Sequence, residues 1–254
     1  MKICVLASGS KGNCTYIETE HVKLLIDIGT TSLYAERKLK EIGVDPKEIN
    51  GILVTHTHTD HISGIRVFVK KYQTKLYLTP KIYEELNVLF PILNYEIVTE
   101  DFNISDLFIE IFKTSHDASD SNGYILSSDK SSVVYITDTG YINIKNHSKL
   151  KNKKIYIIES NHDVEMLMNG NYPYNVKQRI LGDIGHLSNK DCSNYITKFM
   201  GEETKKIILI HLSEENNTPE KALEALNNAL LKKQKKIEHI YIAKQTERTE
   251  LIEV

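Results

Sequence analysis

The sequence predicts a layered α/β sandwich in which sheets lie inside and helices lie outside. Three observations carry this prediction. Short β-rich segments alternate with helical segments along the 254 residues. Residues 155–158 and 207–210 are unbroken apolar runs, which is typical of strands buried on both faces. No linker-like tract and no repeat interrupts this alternation, so we expect residues 1–254 to form a single domain.

The strands are predicted from runs of β-branched and aromatic residues. In chain order they cover residues 2–6, 15–18, 22–27, 51–54, 76–78, 96–98, 107–112, 123–126, 133–137, 155–158, 207–210, 237–243 and 249–253. Helices are predicted over residues 31–42, 62–70, 80–89, 141–150, 189–200 and the segment after Thr218. Gly43 is a typical end of the first helix, and Thr218 with Pro219 is a typical beginning of the last one.

The composition excludes several classes of protein. The chain has 32 Lys and Arg against 34 Asp and Glu, and a formal net charge of −2 does not suit a protein that coats DNA. Its 3 Cys cannot form a disulfide framework, which favours a reducing, cytoplasmic location. We expect neither a signal peptide nor a membrane span, because no apolar run is long enough. The unusual figure is 10 His, three of them between positions 56 and 61.

This histidine-rich segment, residues 55–61, directly follows a predicted buried strand. In an extended backbone His56, His58 and Asp60 point to the same side, with about 6.6 Å between Cα atoms for each two-residue step. His61, at the start of the next helix, can turn back toward the same point. Burying several ionisable groups without partners costs kilocalories each, so packing explains the cluster poorly and a metal site explains it well. The alternative is a polar loop whose histidines face water.

Three further candidate ligands follow predicted strands: His116, Asp138 and His211. Any one of them alone would more often be a hydrogen-bonded residue at the end of a strand. Together with the histidine cluster they become metal candidates. Sites of the zinc type take about four ligands each, so a set of this size indicates two ions.

The HxHxDH pattern, followed by a distant His, Asp and His, resembles the metallo-β-lactamase fold superfamily over residues 8–211. This resemblance implies a four-layered αββα sandwich with the metal site at the strand ends. It also implies two sets of ligands joined by Asp138 as a bridge: His56, His58 and His116, and then Asp60, His61 and His211. An Asp at the bridging position favours the phosphodiesterase, nuclease and glyoxalase-like branches over the true β-lactamases.

Further segments narrow the resemblance. They read SGSKGN over residues 8–13, ESNHD over 159–163, YPY over 172–174 with Arg179 beyond it, GHLSN over 185–189 and HLS over 211–213. The set is similar to that of the YycJ (WalJ) subfamily. This similarity implies a metal-dependent 5′→3′ DNA exonuclease of the mismatch-repair type, with DNA 5′ ends as substrate and two divalent ions, Zn or Mn, as cofactors.

The chemistry of a metal pair and of the residues near it suggests candidate roles. A metal pair hydrolyses phosphodiesters by attack of a hydroxide on phosphorus, and Asp60 would orient that hydroxide. His186, held by Glu159, is the candidate acid for the leaving oxygen, although both residues could instead orient a ligand. The candidate substrate-binding residues are Ser8, Ser10, Asn13, Asn161, His162 and Arg179. Residues 8–13 could instead form a plain turn, and His162 could instead cap a helix.

Three hypotheses of function follow. The first is the exonuclease, and the second is a small-molecule hydrolase of the same fold, such as a cyclic phosphodiesterase, lactonase or thioesterase. The third, a non-catalytic regulator, is disfavoured because every ligand position is intact. The near-neutral net charge of the chain is the main objection to a nucleic-acid substrate. Two basic clusters bear on this objection. Residues 145–154 carry five lysines and could border the active site, which weakens the objection. Residues 232–236 carry four lysines and suggest a solvated helix face.

Overall fold

The structure, a computed structural model, describes residues 1–253. Its strands are β1 (Lys2–Ala7), β2 (Cys14–Glu18), β3 (Lys23–Ile26), β4 (Gly51–Leu53), β5 (Lys75–Leu78), β6 (Tyr95–Ile97), β7 (Phe102–Ile104), β8 (Leu107–Lys113), β9 (Asn122–Ser128), β10 (Ser131–Ile136), β11 (Ile155–Glu159), β12 (Lys206–Ile210), β13 (His239–Ile242) and β14 (Ile252–Glu253). The first sheet has the order β14-β1-β2-β3-β4-β5-β6 and the second has the order β13-β12-β11-β10-β9-β8-β7.

Helices connect and cover these strands. They are α1 (Ser32–Glu41), α2 (Thr59–Ile62), α3 (Ile65–Tyr72), α4 (Pro80–Leu89), α5 (His147–Leu150), α6 (Val164–Asn169), α7 (Tyr174–Leu181), α8 (Asn189–Phe199) and α9 (Pro219–Lys232). Pro46–Glu48 and Ile144–Asn146 form short 3-10 turns. Within residues 1–253, none of the helices is both long enough and apolar enough to cross a membrane.

The alternation of side chains along each strand builds the layers. On β1, Ile3 and Val5 belong to the apolar core between the two sheets, whereas Cys4 and Leu6 pack against the helices outside the first sheet. The strand β10 divides its side chains in the same way between the central core and the helical layer outside the second sheet. The predicted αββα sandwich is therefore confirmed.

Strand direction brings the functional loops to one edge. The strands β3 to β6 are parallel to one another, and so are β10 to β13. The strands β8 and β10 also run in the same direction, because each is antiparallel to β9. The loops that follow β4, β8, β10 and β12 consequently meet at the carboxyl ends of the two sheets.

Most predicted strands and helices are present, but two predicted helices differ and three short elements were not predicted. The predicted helix over residues 62–70 is divided between α2 and α3, because the Gly64 N–H donates to the Ile28 carbonyl (2.8 Å) outside the helix. The predicted helix over residues 141–150 is wrong in its first part, where the Ile142 N–H donates to the Tyr195 hydroxyl (3.1 Å) and only a 3-10 turn and α5 form. The short elements β7, α6 and α7 were not predicted.

Candidate metal centre

The seven predicted ligand side chains lie together at the carboxyl edge of the sheets. Four come from the loop after β4 and the start of α2, namely His56, His58, Asp60 and His61. Single residues follow three other strands: His116 after β8, Asp138 after β10 and His211 after β12. Their donor atoms form overlapping groups, and within each group the atoms lie no more than 4.8 Å apart.

Two of the four groups contain the same residues as the two predicted ligand sets, and the other two groups include Asp138. One group contains His56, His58 and His116, and another contains Asp60, His61 and His211. Asp138 lies between them, with its Oδ2 2.6 Å from His61 Nε2 and 3.8 Å from His56 Nε2. This is the position that a bridging ligand requires.

The histidines of the first sheet are oriented through Nδ1. The Nδ1 of His56 lies 3.0 Å from Thr55 Oγ1, and that of His61 lies 2.8 Å from Asp27 Oδ2. Asp27 is fully buried and also accepts hydrogen bonds from the Thr55 N–H and hydroxyl. A ligand histidine generally uses its second nitrogen in this way, which leaves Nε2 for the cation. Asp27 is absent from the predicted site, although a carboxylate directly after a strand was the signal that identified Asp138.

Two of the three candidate ligands from the second sheet have an unusual backbone conformation. Asp138 and His211 have φ angles of 48° and 57°, in the left-handed region that residues other than glycine rarely adopt. Such a conformation costs about 1–3 kcal/mol per residue. The His211 N–H donates to Ser8 Oγ (2.7 Å), and its Nδ1 lies 3.4 Å from Glu159 Oε2. The strained turn and these contacts aim His211 into the cluster.

Two buried imidazole nitrogens indicate that the cluster is built for a cation. Neither His56 Nε2 nor His211 Nε2 has a hydrogen-bond partner among the described residues. A buried polar atom left in this state costs about 1–3 kcal/mol. Imidazole nitrogen and carboxylate oxygen are donors that divalent transition metals accept. The residues present therefore fit a divalent metal ion.

Charges in the cluster shift several pKa values. Burial raises the pKa of Asp138, but His211 and His61 outweigh burial and hold this pKa well below its usual range. For His61 burial opposes protonation, yet Asp138 and Asp27 raise its pKa to about 10. Burial, together with the adjacent His61, lowers the pKa of His56 well below its usual range. A cation that binds this cluster would displace a proton from His61.

The predicted contact between Glu159 and His186 is present beside the cluster. Glu159 is fully buried; its Oε1 accepts the N–H groups of Thr139 (2.8 Å) and Leu187 (3.0 Å), and its Oε2 lies 3.1 Å from His186 Nδ1. Burial raises the pKa of Glu159, but His186 outweighs it and brings this pKa to about 2. Burial lowers the pKa of His186, but Glu159 and Asp138 raise it to about 9.

A pocket of about 200 Å³ opens over the cluster. Of the residues predicted to bind substrate, Ser10, Asn161 and Arg179 line it. Tyr172, from the segment before α7, also lines the pocket, as does His186. These side chains are placed to meet a ligand that enters from the open side.

The other three predicted substrate-binding residues do not line the pocket. Ser8, Asn13 and His162 are only 2%, 1% and 1% exposed. Ser8 holds the backbone of His211, and the Asn13 side-chain amide donates to the Asp60 carbonyl (3.2 Å), so both position loops of the cluster. His162 is not a helix cap either.

The cap of α6 is Asp163, whose carboxylate accepts the Met166 N–H (2.9 Å).

Asp117 was not predicted and joins the cluster to the pocket rim. Its Oδ2 accepts a hydrogen bond from Arg179 Nε (2.5 Å), and its Oδ1 lies 3.2 Å from His116 Nε2. A lone Asp after a candidate histidine carries no spacing signal of its own. Only the fold shows that it faces Arg179.

The chain resembles known proteins in sequence and in fold. A family model described as the metallo-beta-lactamase superfamily matches residues 7–150. The chain is 39% identical over 236 residues to "Exodeoxyribonuclease WalJ" of Streptococcus pneumoniae, covering 90% of this chain and 88% of that protein. It is 36% identical over 234 residues to "Exodeoxyribonuclease YycJ" of Bacillus anthracis, covering 90% and 89%.

A solved structure agrees with this assignment at the level of the fold. The crystal structure of the metallo-beta-lactamase fold protein YhfI from Bacillus subtilis matches with a TM-score of 0.73 and 16% sequence identity, covering 98% of both chains. At this identity the match shows the common fold alone. It agrees with the αββα layers described above.

Proposed function

Because the chain belongs to the metallo-beta-lactamase superfamily and, within it, to the family of the WalJ and YycJ exodeoxyribonucleases, we propose that it is a metal-dependent exodeoxyribonuclease. One observation carries the proposal: the predicted ligands, which are far apart in the sequence, converge beneath one pocket of about 200 Å³. A pocket of this size holds only a small part of a polymer, such as a terminal nucleotide.

The proposed cofactor is a pair of divalent cations, zinc or manganese. One ion would be held by His56, His58 and His116, the other by Asp60, His61 and His211, and Asp138 would contact both. When bound, the cations would neutralise charge on the phosphodiester and lower the pKa of a water molecule.

The remaining roles belong to side chains around the pocket. Asp60 is partly exposed at the pocket floor, where its carboxylate can accept a hydrogen bond from the attacking water. His186 is fixed by Glu159 through Nδ1, so its Nε2 is the atom that would donate a proton to the leaving oxygen. Arg179 lies at the mouth, where its guanidinium can bind a phosphate.

The proposal also covers the direction of digestion, the cellular process, the location of the protein and its domain organisation. The motif resemblance supports digestion from DNA 5′ ends in the 5′→3′ direction and a role in mismatch repair. Among the described residues Cys4, Cys14 and Cys192 are free and buried, which suits the cytoplasm. The core between the sheets draws on residues from Ile3 to Ile252, which supports one domain.

The direct test is a digest of 5′-phosphorylated, 5′-hydroxyl and circular DNA, with RNA in parallel, in Mn²⁺ and in Zn²⁺. We expect linear DNA to be shortened from its 5′ end and circular DNA to remain intact. Hydrolysis of a small diester or lactone without cleavage of DNA would contradict the proposal and favour a small-molecule hydrolase.

Variants connect this activity to the cluster. Asp60→Asn and His58→Ala should abolish digestion while the circular dichroism spectrum stays unchanged. The matched control is His239→Ala, because His239 is exposed on β13 and no candidate ligand group includes it. Metal analysis should find about two ions per chain in the wild type. Full activity in a metal-free preparation would disprove this assignment.

A further inference from the structure

A second cleft, of about 880 Å³, lies beside the metal cluster and is larger than the pocket over it. Its walls come from the start of α4, the segment after β6, the end of β8 and the segment 141–149. None of the candidate metal ligands lines it. The proposed reaction therefore leaves this cleft without a role.

The cleft and the metal cluster share one wall. Ser115 and Tyr141 line the cleft, and each lies one to three residues from a candidate ligand, His116 and Asp138 respectively. Thr139 joins the two loops, because its hydroxyl accepts the Ser115 N–H (2.9 Å) and donates to the Tyr141 carbonyl (2.7 Å). A chain that leaves the catalytic pocket over this wall enters the cleft directly.

Lysines from separate elements line the cleft: Lys81 in α4, Lys113 at the end of β8, Lys145 in the 3-10 turn and Lys149 in α5. The Nζ of Lys149 donates to the Ile111 carbonyl (3.1 Å), which fixes this side chain at the wall. Lys81 and Lys145 are exposed and form no ion pair within residues 1–253. Their ammonium groups are thus available to a ligand.

Acidic residues also line the cleft, but they do not cancel these lysines. They are Glu100, Asp101 and Asp120. Asp120 pairs with Lys113 and accepts a hydrogen bond from the Thr79 hydroxyl (2.5 Å), and the Asp101 carboxylate accepts the Ile111 N–H (2.9 Å). Four lysines against three carboxylates leave the lining with an excess of one positive charge, which favours an anionic ligand.

An aromatic ring stands among these charges. Tyr141 is 39% exposed in the wall nearest the cluster. Sites for single-stranded nucleic acid combine a positively charged groove along the backbone with aromatic side chains on which bases stack. Lys81, Lys145 and Tyr141 supply both parts of this combination.

We propose that this cleft binds the nucleotides of a single DNA strand that lie beyond the scissile phosphodiester. Lys81 and Lys145 contact phosphates, and Tyr141 stacks against a base. The inference rests on the exonuclease function proposed above and adds the path of the substrate. It also accounts for binding of a polyanion by a chain whose formal net charge is −2.

The test compares two charge-reversal variants with the same total charge. Lys81→Glu/Lys145→Glu changes the cleft. Lys232→Glu/Lys236→Glu is the control, because both lysines are exposed at or beyond the end of α9 and do not line the cleft. The metal-loaded proteins are titrated with a long single strand carrying phosphorothioate linkages and with a dinucleotide, and binding is followed by fluorescence anisotropy at several salt concentrations.

The cleft variant should lose about tenfold more affinity for the long strand than for the dinucleotide. Loss of two phosphate contacts should also reduce the slope of log affinity against log salt by about 1.4. Tyr141→Ala should weaken long-strand binding by about tenfold, and Tyr141→Phe, which keeps the ring, should restore it. The control variant should bind like the wild type.

Equal losses in the cleft and control variants, or equal losses for both ligands, would overturn the inference. DNA digestion by the wild type distinguishes the two proposals. If the wild type digests DNA and the cleft variant binds long strands normally, the path is wrong and the exonuclease function stands. If the wild type digests no DNA, the proposed function itself fails.

Discussion

The two sheets contribute to the metal cluster in different ways. The first sheet supplies four candidate ligands from residues 56–61, and the buried carboxylate of Asp27 and the hydroxyl of Thr55 hold two of these imidazoles together. The second sheet supplies one candidate ligand from each of three strand ends: His116 lies beside the Gly185 carbonyl, whereas Glu159 contacts His211 and accepts the N–H of Thr139, the residue after Asp138. Loss of Asp27 should thus disturb His61 and His56, whereas loss of Glu159 should disturb His211 and the loop of Asp138 but leave the first-sheet histidines in place.

The largest effect on metal content and activity is expected from substitution of Asp138, which lies between the candidate ligands of the two sheets. Its carboxylate lies near ligands of both sets, so Asp138→Ala should remove both ions and reduce nuclease activity to background. Metal analysis and a digestion assay measure this, with Asp129→Ala, in the exposed turn between β9 and β10, as the control. Retention of one tightly bound ion would show that Asp138 serves only one set.

His186→Ala should have the next largest effect on the rate. Loss of a general acid typically lowers kcat by about 10²–10⁴-fold, and metal content should not change. The loss should be much smaller for a p-nitrophenyl diester, because its leaving group needs no proton. Equal losses for DNA and for this diester would indicate that His186 only positions its neighbours.

Asp27→Asn tests the shared support of the first sheet. Asp27 contacts His61 directly and reaches His56 through Thr55. The variant should therefore lower the affinity for each of the two ions by about 10- to 100-fold. Competition with a chromophoric chelator measures each affinity, and excess metal should restore much of the activity. Glu159→Gln is the comparison from the second sheet and should leave the set of His56, His58 and His116 at wild-type affinity. If Asp27→Asn lowered the affinity for only one ion, Asp27 would not be a support shared by both sets of ligands.

The smallest effect is expected at a contact between the two sheets that lies away from the cluster. Asp120 is buried, which raises its pKa, but Lys113 and Thr79 outweigh burial and hold this pKa below its ordinary value of 3.8. Asp120→Asn should therefore lower the free energy of unfolding by about 1–2 kcal/mol at pH 7.

The sign of the pH dependence follows from the depressed pKa of Asp120. Its stabilisation is complete above the unfolded pKa and is lost as the pH falls through the lower, folded pKa. The difference between wild type and Asp120→Asn in urea unfolding should stay constant from neutral pH down to about 5 and shrink below about 4. A difference that grows in acid would contradict this assignment.

The part of the metal cluster that comes from residues 56–61 could be predicted because its candidate ligands are neighbours in the chain. The spacing of His56, His58 and Asp60 places them on one side of an extended backbone whatever the rest of the fold does. His116, Asp138 and His211 each carry only the weak signal of a strand end, and they became candidates because all three accompany the histidine cluster. Asp27 was missed because the strand was predicted to include it, whereas β3 ends at Ile26, and Asp117 was missed because it has no spacing signal of its own.

The sequence by itself determined the layers and was sufficient to predict the candidate ligands. Alternation along strands such as β1 assigns each side chain to the central core or to a helical layer, and this periodicity is a local property. Only the tertiary structure decided which polar residues line the pocket over the cluster. It buried Ser8, Asn13 and His162 and left Arg179 at the pocket mouth, because contacts between residues distant in the chain determine burial.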